Sequence, residues 1–336
     1  MTETAALQTV RWGMIGCGSV CEVKSGPGFY KAERSALVAV ASRRPEHARD
    51  YAARHGVPRV YDSPEALVGD PGLDAVYIAT PPDSHRALAL LAARAGKHVY
   101  VEKPMALSHA ECQAMIDACR SADRRLFVAF YRRALPRFLQ VKAWIDGGAI
   151  GAVRCVTVVQ QMTPEADELD RATLPWRVKP GIAGGGKFVD LAVHVLDFLD
   201  FVLGPIVEAQ GIAANNGGLY DAEDTVAASW RHESGAMGSG SWCYVCGANL
   251  DRVEIVGERG RIEFDFFAAS PLRLATAAGV QELAIANPPH VQQPFIQSIV
   301  DDLCGLAPCP GTPESAARSS RVADAILGEY RRQRGF

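Results

Sequence analysis

Short apolar runs separated by amphipathic stretches fill the first third of the chain. "VRWGMIG" (10–16), "LVAVAS" (37–42), "DAVYIAT" (74–80), "HVYVE" (98–102) and "RLFVAF" (125–130) are nearly continuous in apolar residues. That pattern predicts strands of a parallel sheet covered on both faces. Between them, residues 45–56, 84–97 and 108–122 repeat apolar positions at helical spacing. The first of these has Pro45 in its opening turn and Gly56 past its end, the residues helix boundaries favour. After about residue 150 the pattern changes. "AVRCVTVVQQ" (152–161) is longer and more polar, and from about 205 come "IVEAQGIAA", "DTVAASWRH", "GAMGSGSWCYV", "DRVEIVG" and "GRIEFDFF". These alternate and are joined by glycine-containing turns, which predicts a mostly antiparallel sheet with one face on helices. Residues 186–204 read as one strong helix, and 293–305 and 313–334 as two more. Residues 1–9 read as a frayed tail.

The length of 336 residues suits two domains. Net charge is -3, with 35 basic against 38 acidic residues, which gives no reason to expect nucleic acid or an anionic membrane as partner. No window holds about 18 uninterrupted apolar residues, so no membrane span is expected. The first ten residues carry no apolar signal core, and the expected setting is the cytoplasm. Nine cysteines, an odd number, argue against a disulfide framework. Cys243 and Cys246 form a CxxC pair with no further ligands at suitable spacing, so no metal is expected.

The candidate chemistry begins after the first strand. Gly16-x-Gly18-x-x-Cys21 in "GMIGCGSVC" has the spacing of a dinucleotide-binding turn: a tight bend, a close approach to pyrophosphate, then a small residue against the sheet. Gly16, Gly18, Ser19 and Val20 are the expected cofactor contacts there. "KSGPGFYK" (24–31) should cut the following helix short and leave a loop over the cofactor. The second strand ends in Ser42, Arg43 and Arg44 rather than an acid. Donors in that place suit a 2'-phosphate, hence NADP over NAD, although two solvated arginines at a helix start would look the same.

Ligands bind beyond the carboxyl ends of parallel strands. "ATPPDSH" (79–85) ends one such strand with a stiff turn and an Asp or Ser helix cap, and "VEKP" ends the next. Lys103 there could hydrogen-bond a substrate oxygen, and Glu102 could bind ribose hydroxyls or orient the lysine; a solvated Glu-Lys turn is the plain alternative. In "AGGGKFVDLAVHVLDFLDF", Asp190 and His194 are four apart and so share a helical face. Histidine exchanges protons near neutrality, and Asp190 could bind a hydroxyl or hold the imidazole. Asp197 could share the face.

GCGSVC at 16–21, ATPPDSH at 79–85, VEKP at 101–104 and GGGKFVDLAVH at 184–194 occur in an order that resembles the Gfo/Idh/MocA oxidoreductase family, over about residues 10–330. The resemblance implies an α/β fold. Residues 1–130 would form an N-terminal Rossmann dinucleotide-binding domain. Residues 131–336 would form a C-terminal α/β domain with an open, mostly antiparallel sheet that mediates homodimers or homotetramers, its last helices free to pack back on the first domain. It makes Lys103 a contact of substrate and nicotinamide with a cis bond to Pro104, Asp190 the substrate-binding aspartate, and His194 the acid/base. Thr80, Pro81, Pro82, His85 and Glu102 fall on its cofactor-lining segments, and Arg133, Trp176 and Arg177 where the cleft is lined. Ala192 replaces a customary glycine and Cys21 an alanine, each small for small.

The expected reaction moves a hydride between nicotinamide C4 and a secondary alcohol or carbonyl carbon of a polyol, sugar, keto-sugar or related diol, with NADP preferred or NAD. Other readings are a redox-neutral hydrolase or lyase with tightly bound NAD(P), and a non-catalytic NAD(P)-binding regulator. Retention of Lys103, Asp190 and His194 argues against the regulator. Biliverdin-reductase-like or dihydrodiol dehydrogenase activity fits the same architecture, and the arginines of "YRRALPRF" and "WRVKPG" suit an acidic substrate.

Overall fold

Six parallel strands build the first sheet of the computed structural model, which describes residues 7–336. Of the tail expected over residues 1–9, residues 1–6 lie outside the described residues. The chain groups into two units. One takes the chain up to Ala106, Ala110–Leu135 and Pro288–Ala316; the other takes Leu107–His109, Pro136–Asn287 and Ala317–Phe336.

In the first unit the strands are β1 (Val10–Ile15), β2 (Ser35–Ala41), β3 (Arg59–Tyr61), β4 (Ala75–Ile78), β5 (His98–Val101) and β6 (Leu126–Val128), in the order β3-β2-β1-β4-β5-β6. The helices are α1 (Ser19–Val23), α2 (Gly26–Lys31), α3 (Pro45–His55), α4 (Pro64–Val68), α5 (His85–Arg94) and α6 (His109–Ser121). β1 pairs with both β2 and β4, so the winding reverses there. This is the doubly wound dinucleotide-binding topology, whose ligand crevice opens at the reversal.

The expected loop over 24–31 is a correction. Residues 26–31 are helical, with Pro27 in the first turn, and Gly26, Pro27, Gly28 and Phe29 are buried. The glycines serve close packing, not flexibility. A Cβ on Gly26 would lie 2.0 Å from Cys21 O, and one on Gly28 would lie 2.5 Å from Ile296 Cδ1. Phe29 enters an aromatic cluster with Trp12 and Tyr77, at centroid distances of 5.0 and 4.9 Å, and Tyr77 stacks on Tyr100 at 4.9 Å. Burying each such ring is worth ~1.5–3 kcal/mol, enough to hold a helix of poor intrinsic propensity.

The second unit begins with α7 (Pro136–Asp146) and β7 (Val153–Gln161), followed by the short α8 (Pro180–Ala183), a π-helical turn (Phe188–Ala192) and α9 (Val193–Leu203). Then come β8 (Ile206–Ala214), β9 (Thr225–His232), β10 (Met237–Cys243), β11 (Leu250–Gly257), β12 (Gly260–Phe264), β13 (Leu272–Thr276) and β14 (Gly279–Leu283). The sheet order is β14-β13-β12-β11-β7-β10-β9-β8. The β7–β10 pair is parallel and the other pairs are antiparallel. β13 and β14 extend it beyond the last strand expected from the sequence. α9 is buried nearly all round, as a core helix is; Phe198 meets Phe138 of α7 at 5.0 Å. The chain closes with α10 (Gln293–Leu303) and α11 (Pro313–Arg334). Arg318 of α11 forks onto Asp200 of α9 with two 2.8 Å bonds.

Candidate active site

The carboxyl edge of the first sheet collects the residues expected there. Gly16 follows β1 at φ +98°, and a Cβ would lie 2.8 Å from Ala79 O, so only glycine makes this bend beside β4. Gly18 precedes α1; nothing lies within 4 Å of where its Cβ would be. Ser19 is exposed and Val20 half-buried. The backbone is thus open to close approach, which is what a pyrophosphate needs, and these residues fit the dinucleotide. Cys21 is buried, its thiol 3.4 Å from Gly16 O. Ser42, Arg43 and Arg44 follow β2 at the same edge, with both arginines exposed and the Arg44 N–H donating to Ser42 Oγ at 3.3 Å.

Thr80 and Pro81 follow β4 half-buried, and Pro82 is buried. Ser84 makes no side-chain helix cap. Its hydroxyl lies 2.6 Å from Thr80 Oγ1 and 2.9 Å from Pro81 O, stiffening the turn. His85, expected to line the cofactor, is wholly buried. Its Nδ1 lies 3.0 Å from Pro104 O and its Nε2 2.8 Å from Thr80 O. It therefore braces the TPP turn against the EKP turn, and burial pushes its pKa down.

After β5, Glu102 is buried and its Oε1 accepts from the Tyr77 hydroxyl (2.6 Å) and the Gln292 amide (2.7 Å). Tyr100 donates to Gln292 Oε1 at 2.7 Å and so orients that amide. Burial and the Glu102 charge hold the Tyr77 hydroxyl pKa well up, as a donor. Glu102 Oε2 accepts the Lys103 N–H at 3.3 Å. Glu102 is thus committed to holding the lysine's backbone, and the Lys103–Pro104 bond is cis. Arg133 is buried, donating to Pro310 O at 3.2 Å.

In the second unit, Asp190 and His194 are both buried, at 7% and 5% exposure. The continuous α-helix expected over 186–204 is instead a π-helical turn that carries Asp190, followed by α9 carrying His194; π turns recur at functional sites. Arg177, half-exposed, places Nε 3.4 Å from Asp190 Oδ2 and lies over the Trp176 ring at 4.6 Å. Trp176 and Arg177 therefore accompany the aspartate. Phe267 flanks His194 edge-on, ring centroids 6.5 Å apart, and Asp197 is buried in the same helix.

Sequence reading missed the residues that hold these groups. Tyr77 and Tyr100 pair across β4 and β5, and a hydroxyl in a doubly buried strand is itself a signal that a partner is needed. Lys187 is buried on Glu168, 2.6 Å from its Oε1, and Glu223 accepts the Gly186 N–H at 2.8 Å. No local pattern points to either. Among the described residues no group of His, Cys, Asp and Glu could hold a metal ion, and no helix is long and apolar enough to cross a membrane.

Comparison with known proteins agrees with this arrangement. Residues 10–130 match a family described as oxidoreductases with an NAD-binding Rossmann fold, and residues 138–263 match the GFO/IDH/MocA C-terminal domain. The chain is 35% identical to oxidoreductase P35 of Formosa agariphila, over 95% of this chain and 98% of that one. The aldose-aldose oxidoreductase of Caulobacter crescentus, solved with glycerol, superposes with a TM-score of 0.86 at 25% identity, over 97% of this chain and 98% of that one. The WlbA dehydrogenase of Bordetella pertussis, solved with NADH and UDP-GlcNAcA, gives 0.83 at 27%, over 97% and 96%.

Proposed function

The chain belongs to the Gfo/Idh/MocA oxidoreductase family, and we propose that it interconverts a secondary alcohol and a carbonyl on a sugar, cyclitol or related polyol, using NADP in preference to NAD. It is an NAD(P)-dependent oxidoreductase acting on CH–OH groups. The observation that carries the finer reading is the buried Asp190 beside Arg177, with His194 buried four residues on, behind a glycine run, in a chain whose other unit ends its strands in the glycine turn and in Lys103.

When bound, the nicotinamide supplies the hydride acceptor or donor. Gly16, Gly18, Ser19 and Val20 would hold the pyrophosphate, and Thr80, Pro81 and Pro82 would line the ring and its ribose. His194 takes or gives the hydroxyl proton at the reacting oxygen. Lys103, its backbone fixed through Glu102, offsets negative charge on that oxygen. Asp190 orients the substrate hydroxyl or the imidazole, and Arg177 and Trp176 line its approach. Preference for NADP rests on Arg43 and Arg44 at the end of β2, since guanidinium groups match a phosphate. Sugar-like substrates are supported by the glycerol and the nucleotide sugar in the two structural relatives.

Exposed Ile212, Met237 and Leu250 on the second sheet support a homodimer or homotetramer, read by light scattering. Nine cysteines with no disulfide among the described residues support a cytoplasmic setting. The function is tested by following nicotinamide absorbance with a panel of polyols and keto-sugars. Turnover that falls ~10²–10⁴-fold in His194→Asn is expected; absence of turnover with every member and either cofactor would overturn the reading.

A further inference from the structure

The glycine run that leads to Asp190 leans on one carboxyl group. Glu223 is almost wholly buried and accepts the Gly186 N–H at 2.8 Å. A Cβ on Gly185 would come 3.1 Å from Glu223 Oε1, and one on Gly186 would come 2.4 Å from the Glu223 carbonyl oxygen. The Gly186 carbonyl in turn accepts the N–H groups of Val189 (3.1 Å) and Asp190 (3.3 Å). Gly186, gripped at its N–H by Glu223, therefore sets the first turn of the Asp190 segment through its carbonyl.

We propose that Glu223 is a positioning residue for the reaction, fixing through Gly186 where Asp190 and, four residues on, His194 present their side chains. The inference rests on the assignment of those two residues above. Glu223 is also able to change state in the working range. Burial pushes its carboxyl up to about 7, against 4.5 ordinarily, while the Gly186 N–H and Arg331 pull it down. The other ionisable groups facing it are Tyr330 and Arg331 of α11, the adjacent Asp224, Tyr220 before it, and Tyr244 after β10. Arg331 is bonded to Gly184 O and Asp324. Tyr244 lies within electrostatic reach of both Glu223 and Asp190. As the carboxylate, Glu223 holds Gly186 by a charge-assisted bond, roughly twice as strong as a neutral one. As the acid, it holds it by the weaker kind.

Glu223→Gln keeps an oxygen acceptor and cannot ionise; Glu223→Leu removes the acceptor. The imidazole signal of His194, assigned with His194→Asn, is followed by NMR on the full chain from about pH 5 to about pH 9, a range that spans the Glu223 carboxyl at about 7. Turnover constants are measured alongside with a sugar alcohol and NADP. The wild type should show an inflection near neutrality in the His194 signal that follows Glu223, and Glu223→Gln should lose it. Glu223→Leu should lower kcat by about 10²-fold with the cofactor KM unchanged, as expected of misplaced groups, and Glu223→Gln should restore most of it. An identical pH course of the His194 signal in wild type and Glu223→Gln would overturn the proposal, as would wild-type kcat in Glu223→Leu. Should Glu223→Leu fail to fold, the Glu223→Gln titration decides alone. A wild type without turnover whose His194 still reports Glu223 would sink the reaction assignment and leave the positioning role standing.

Discussion

Substituting methionine for Lys187 strands a carboxylate. Lys187 Nζ lies 2.6 Å from Glu168 Oε1 and 2.8 Å from Oε2, and the two side chains are 5% and 1% exposed. Glu165, 63% exposed at 3.7 Å, is too solvated to substitute. An exposed pair of this kind would be worth about 0–1 kcal/mol. Here the charges have already lost their water, so removing one leaves the other uncompensated, at a cost of ~3–5 kcal/mol. For a domain of this size that is a fall in Tm of ~6–20 °C. Methionine matches the lysine stem in length, so little of the loss comes from packing. The double variant Lys187→Met, Glu168→Leu removes the buried charge altogether. It should regain most of the loss, since an apolar replacement of a buried pair is often close to neutral. Part of the deficit should remain, because Glu168 Oε2 also accepts the Glu165 N–H at 2.9 Å. Calorimetry and urea unfolding of the wild type, both single variants and the double variant give the coupling. A Lys187→Met variant that loses under ~1 kcal/mol, or a double variant as unstable as the summed singles, would refute the argument.

Gly186→Ala drives a Cβ to 2.4 Å from Glu223 O; an overpacking cost of ~1–3 kcal/mol and reduced turnover should appear in melting curves and kcat. The Glu223 carboxyl, up at about 7 in the fold against 4.5 ordinarily, holds its proton in the folded state after the unfolded chain has lost it. Stability should therefore decline as pH rises from about 4.5 to about 7, by ~3 kcal/mol for this group. Glu223→Gln should be the more stable protein above neutrality, and urea unfolding on either side of that window checks the sign. Arg43→Ala should weaken NADPH binding by ~10-fold or more, the worth of one charged hydrogen bond, and leave NADH binding unchanged in fluorescence titration.

Five strands of the first sheet were legible because they are continuous apolar runs with helices between them; the sixth, the three-residue edge strand β3 (Arg59–Tyr61), is not buried and was missed. The glycine turn after β1, the strand end at VEKP and the Asp190–His194 spacing could be read from the sequence because each is local. α2 was misread because glycine and proline report intrinsic propensity, whereas Gly26 and Gly28 are set by the atoms packed against them. The π turn at 188–192 leaves no trace in apolar spacing, since every one of its side chains but Leu191 is buried. β13 and β14 were missed as short strands at the sheet's edge, where "GVQEL" is mostly exposed. The partners of the site residues were illegible for another reason. Gln292 reaches Glu102 across 190 positions and Glu223 reaches Gly186 across 37, and a single sequence does not announce such pairings.

The most direct test of the central claim is transfer of deuterium from the carbon of a specifically deuterated sugar alcohol to the cofactor, read by mass spectrometry for the wild type and His194→Asn. Label should appear in the wild-type cofactor, and the rate should fall ~10²–10⁴-fold in His194→Asn, as for loss of a general base. Label that never reaches the cofactor, or an unchanged rate in the variant, would contradict the claim.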